Sequence, residues 1–148
     1  MLGRLDPRRG RSTLLAAALG AFVLACESRV DISDFPDAVG FETRQFIVAL
    51  RGLGATAEVV ETAPPTSSLL SGATTRVALN GADVLVFEFA TLAETDAAAA
   101  RVPGILAVTR FLSRPHFFRG NRIIVLYVGT DAAVTTLIER LLGPQFAG

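Results

Sequence analysis

Lysine and tryptophan are absent from this 148-residue sequence, and cysteine, histidine, methionine and tyrosine occur once each. A single Cys excludes an internal disulfide framework. One Cys with one His falls short of the four ligands that a Cys/His zinc site takes, so neither a metal site nor a cofactor is expected. Any Ser/His/Asp or Cys/His catalytic set must be built on His116 or not exist, and no Gly-x-Ser-x-Gly elbow is present. An excess of either charge is missing too: 14 basic residues, all Arg, balance 14 acidic ones. Without a global basic field the chain is not expected to bind nucleic acid. Long apolar runs are also scarce. The one uncharged run near the start, Leu14 to Ala25, would be about 18 Å long as a helix, too short to cross a hydrocarbon core of about 30 Å.

What is present fits one globular domain, with 51% hydrophobic and 19% charged residues. The first 25 residues divide like an export signal: Arg4, Arg8, Arg9 and Arg11 lead into the short apolar run. That run ends at Val23-Leu24-Ala25-Cys26, which resembles a bacterial lipobox, with Cys26 as the residue that receives diacylglycerol before cleavage ahead of it. Acylation would account for a lone Cys in an exported chain, and two or three acyl chains at about 0.8 kcal/mol per buried methylene hold a protein on a membrane. The expected organisation is a signal at 1–25, an acylated Cys and polar tether at 26–36, and a single domain at 37–148. The mature chain keeps ten Arg against thirteen acids. The expected location is outside the cytoplasmic membrane, on the cell membrane or on an outer membrane if the host has one.

Asp31, Asp34 and Asp37 lie at threefold spacing, but the Gly turn and distal Glu of a calcium loop are missing. Phe41 to Leu53 has helical periodicity, and Gly52-Leu53-Gly54 reads as a helix terminator; a phosphate loop would open a helix instead. Strands are predicted at 56–61, 75–79 and 82–90, with Asn80-Gly81 as a hairpin turn. Gly81 to Thr91 (GADVLVFEFAT) aligns without a gap on Gly120 to Thr130 (GNRIIVLYVGT), and helix-forming runs follow at 92–102 and 131–142. The prediction is an α+β two-layer sandwich, with an antiparallel sheet of about five strands and about three helices built around a duplicated strand-turn-strand-helix unit. Leu85, Phe87 and Phe89 with Ile124, Leu126 and Val128 should form the face that carries the helices. The opposite face, with Val84, Val86, Glu88, Ile123, Val125 and Tyr127, is too apolar to face water and needs a cover. The Pro64–Ala73 segment, an apolar ligand or a second copy forming a homodimer are the readings of that cover.

The segment Arg110 to Arg122, RFLSRPHFFRGNR, contains four Arg, His116 and three Phe and no acid. Arg114, His116, Arg119 and Arg122 are the candidate anion-binding residues, for an anionic envelope polymer or lipid headgroup, since guanidinium groups hold phosphate or carboxylate in bidentate fashion. A solvated hairpin guarding a sheet edge is the plain alternative. The rival function is a small enzyme with His116 as general base. Glu88 with Glu94, or Glu58 with Glu61, are the carboxylate pairs weighed for acid and base roles.

The stretch PHFFRGNRIIVLYVG, Pro115 to Gly129, and the tail LGPQFAG, Leu142 to Gly148, resemble a group of small bacterial lipoproteins and secreted proteins. These carry a Pro-His-Phe stretch leading into Ile-Val-x-Tyr-Val-Gly, and the same tail. The resemblance implies export and implies no reaction. Members of the group often have Trp ahead of Pro-His-Phe, where Arg114 stands here, so no role of that aromatic carries over.

Overall fold

The computed structural model describes residues 35–148; the expected signal at 1–25, Cys26 and the expected tether as far as Asp34 lie outside the described residues. The first helix among the described residues is α1, Phe41–Gly52. Its end is the glycine stop expected from sequence: Gly54 takes φ 84°, its N–H bonds Arg51 O at 2.9 Å, and Ala55 N bonds Leu50 O at 3.1 Å. This is the Schellman arrangement, in which the left-handed residue lets the chain fold back on the last carbonyls. Strands β1 (Ala57–Ala63), β2 (Ala73–Leu79) and β3 (Ala82–Glu88) follow, then α2 (Leu92–Val108), β4 (Pro115–Arg119), β5 (Ile123–Val128) and α3 (Ala132–Leu142). The five strands make one antiparallel sheet in the order β1-β2-β3-β5-β4.

Local chemistry places the elements. Asn80 (φ 50°) and Gly81 (φ 84°) are the paired left-handed residues of a tight hairpin turn between β2 and β3. The Asn80 side-chain oxygen also accepts from Thr56 N and Thr56 Oγ1 at 2.9 and 3.1 Å, which binds the start of β1 to that turn. Thr91 caps α2 by accepting from Glu94 N, while the Glu94 carboxylate reaches back to Ala90 N at 3.0 Å, a variant of the capping box. Asp131 caps α3 by accepting from Ala133 N at 2.8 Å.

The α+β class, the five antiparallel strands and the three helices are as the sequence predicts. The unit β2-turn-β3-α2 is followed by β4-turn-β5-α3, the element order read from the two matching segments, and Val86 pairs with Val125, the residues their alignment equates. The layering differs, because the helices cover both faces of the sheet. On one face α1 and α3 bury Phe46, Ile47, Leu50, Val134 and Ile138 against Val77, Val84, Val86, Ile123, Val125 and Tyr127. On the other, α2 buries Ala98 and Val102 against Phe87, Phe89, Phe117, Ile124 and Leu126, joined by Leu70.

The apolar face proposed for a partner is therefore the main core. Val84, Val86 and Val125 are fully buried, and Ile123 and Tyr127 nearly so, under two helices of the same chain. A homodimer or an apolar ligand on Val84, Val86, Ile123, Val125 and Tyr127 is excluded in this fold. The Pro64–Ala73 segment does not cover that face either: its Leu70 packs on the opposite one, where Arg101 Nη2 holds Leu70 O at 2.7 Å. Two boundaries also move. Phe35 and Val39 already belong to the core, so packing starts before residue 37. Helix α2 continues past Val102 to Val108 despite Pro103, because Ile105 and Leu106 extend its apolar stripe over the sheet. That contact outweighs the one hydrogen bond the ring removes.

Candidate functional site

Strand β4 is an edge strand, and its outer side is occupied by the chain's own C-terminal tail. Phe146 N donates to Phe117 O and Phe117 N donates to Ala147 O, both at 2.9 Å. A short extra bridge, Phe117 to Ala147, thus closes an edge that would otherwise offer unpaired backbone groups. His116 completes the clasp. Its Nε2 lies 3.1 Å from Gly129 O and its Nδ1 2.5 Å from the Gln145 side-chain amide, while the ring stacks on Tyr127 at 5.9 Å between centroids. Gly129 O only accepts, so Nε2 carries the hydrogen of that bond, and Nδ1 faces Gln145 Oε1. Tyr127 in turn accepts from Asp131 N at 3.1 Å, at the start of α3. The segments 115–129 and 142–148 are thus hydrogen-bonded to each other.

The four candidate anion-binding residues do not converge. Arg119 forms an ion pair with Asp96 on α2. Arg122 donates from Nε and Nη2 to Glu42 Oε1 of α1 at 3.2 and 3.1 Å, and from Nη1 to Ala90 O at 3.3 Å. His116 is turned inward on the clasp. Only Arg114 is exposed without a partner among the described residues, and Arg110 shares that state.

The carboxylate pairs fare differently. Glu88 and Glu94 line one open cleft of about 370 Å³ together with Gly40, Gly72, Phe89 and Arg122. Both are committed to helix starts. Glu88 accepts from Glu42 N (3.2 Å), Thr43 N (3.0 Å) and Thr43 Oγ1 (2.6 Å), and so caps α1 from the neighbouring strand, since the residue in the cap position is Gly40. A carboxylate there also complements the positive end of the helix dipole. Glu58 and Glu61 stand on the outer strand β1, where Glu61 meets Arg76 at 3.4 Å. Among the described residues no group of three or more His, Cys, Asp or Glu could hold a metal ion.

Sequence reasoning missed the cap made by Glu88, the Asp96 and Glu42 partners of the arginines, and the Gln145 contact of His116. Glu88 carried a signal, as the one charged residue on an otherwise apolar face. No family model, no curated protein and no solved structure matches the chain.

Proposed function

We propose that the protein is a bacterial lipoprotein: a non-catalytic α+β domain held outside the cytoplasmic membrane through an acylated Cys26, for binding or for envelope structure. The observation that carries this is the Arg-led apolar run ending at Val23-Leu24-Ala25-Cys26, the chain's only Cys. Phe35, the first core residue among those described, stands nine positions after Cys26, so the domain stays within about 30 Å of the anchored Cys. The engagement of both His116 nitrogens supports a structural role for that ring in preference to that of a general base. Its anionic partner, a lipid headgroup or envelope polymer, would meet the free guanidinium groups of Arg110 and Arg114 before the paired ones of Arg119 and Arg122.

Phase partitioning in a cloud-point detergent tests the reading. The native chain expressed in a bacterium is expected in the detergent phase and the Cys26→Ala variant in the aqueous phase or as an uncleaved precursor. Equal partitioning of two equally processed forms would overturn it.

A further inference from the structure

The C-terminal end of α2 and the connection from it to β4 present apolar side chains to solvent. Val108 is 83% exposed and Leu112 fully so, the two most exposed large hydrophobic residues among those described. Surface segments usually hide such groups or replace them with polar ones, so two of them four residues apart call for a partner. The loop is also firmly seated. Thr109 N bonds Ile105 O at 2.8 Å, and at the far end Arg114 O accepts from Gly129 N at 2.9 Å. Between them Phe111 sets its ring edge-on to Phe117, with centroids 6.4 Å apart. Phe117 also packs against Phe146, whose ring centroid lies 6.3 Å away and which is 40% exposed.

Charge decides what this apolar surface fits. From residue 97 to residue 130 the sequence contains no acid. Three of the arginines in that stretch are spent inside the fold: Arg101 on Leu70 O, Arg119 on Asp96, and Arg122 on Glu42. Arg110 and Arg114 are exposed and have no partner among the described residues, and they flank Leu112 on either side. Exposed aliphatic tips between free guanidinium groups match the boundary of an anionic bilayer, where apolar groups enter the acyl region and cations stay among the headgroup phosphates.

We propose that the segment from Val108 to Arg114 is a membrane-docking surface that inserts Leu112 and Val108 into a bilayer rich in anionic lipid, with Arg110 and Arg114 on the phosphates. The choice of partner rests on the lipoprotein reading. One anchor and one docking loop are the two signals that together fix an orientation at the surface. A tether reaching about 30 Å from a domain of about 13 Å radius of gyration leaves any face free to turn to the membrane.

Because the chain has no Trp, Leu112→Trp introduces a single fluorescent reporter. The chain from Glu27 onward, without an acyl group, contains residues 35–148, which close both cores. With vesicles of 30% phosphatidylglycerol in phosphatidylcholine, the Trp emission is expected to shift to the blue and to be quenched by lipids brominated near the headgroup. Pure phosphatidylcholine should give at least tenfold weaker binding. Arg110→Glu with Arg114→Glu in the same reporter chain should lose at least tenfold on anionic vesicles while its melting curve is kept, and Val108→Ser gives a second, milder loss. A Trp placed at exposed Glu139 on α3, in the opposite layer, should stay unshifted. No shift with anionic vesicles overturns the proposal; so does a shift indifferent to lipid charge and to the Arg reversals, or an equal shift at residue 139. The unacylated chain reads the loop alone, so its failure is distinct from a failure of Cys26 to be acylated.

Discussion

The contact between Gly40 and Glu88 predicts a reversal of sign. A Cβ added to Gly40 would sit well inside van der Waals contact of the Glu88 carboxylate. That carboxylate can swing away, but only by giving up Glu42 N, Thr43 N and Thr43 Oγ1, and Thr43 is buried. Losing a helix cap costs about 1 kcal/mol, and a hydrogen bond from a buried hydroxyl to a charged acceptor adds about 2 kcal/mol. Gly40→Ala and Glu88→Ala should therefore each cost about 3 kcal/mol, or roughly 12 °C in a domain of this size. The backbone at Gly40, φ −68° and ψ 164°, suits alanine. Once Glu88 is already alanine, Gly40→Ala should accordingly stabilise by about 0.5 kcal/mol through the unfolded state. A double-mutant cycle by urea denaturation measures this, with an expected coupling of about 3.5 kcal/mol. Additivity within about 0.5 kcal/mol would refute the cap as described.

Three further outcomes follow from the same geometry. Truncation after Pro144 removes two backbone hydrogen bonds and the Gln145 contact with His116, at about 1 kcal/mol each; it should cost roughly 3 kcal/mol and abolish protection of the Phe117 amide in hydrogen exchange. Unchanged Phe117 protection would mean that the tail does not close the edge. Gly81→Ala places a Cβ at φ 84° and should destabilise by about 1 kcal/mol in a thermal melt, whereas a neutral result would exclude the left-handed turn. Val125→Asp puts a carboxylate where the side chain is fully buried and should abolish the cooperative melt; a folded monomer of normal stability would place Val125 on a surface.

Local signals were the legible part of this fold. Asn80-Gly81, the Gly54 stop and the alternation in β3 and β5 act over a few residues, and each appears where the sequence placed it. The layering was less legible because periodicity shows that both faces of β5 are apolar without showing which helix covers which. The excess of apolar residues at Val84, Val86 and Val125 shows that this face needs a cover without showing that α1 and α3 supply it, since a two-layer arrangement leaves one face bare and a three-layer one does not. The arginine cluster misled for a related reason. Proximity along the chain put Arg114, Arg119 and Arg122 together, yet alternation on β4 and the turn before β5 sends Arg119 to Asp96 and Arg122 to Glu42, partners 23 and 80 residues away. What stayed free was the neighbouring loop, where Arg110 and Arg114 flank Leu112.

The lipid anchor is the claim on which the functional account turns, and the intact mass of the protein purified from bacterial membranes tests it most directly. The account predicts a chain beginning at Cys26 and ending at Gly148, heavier than its amino acids by a diacylglyceryl group with or without a third acyl chain. That added mass should be missing from the Cys26→Ala variant. A native chain of unmodified mass, whether cleaved elsewhere or left whole, would contradict it.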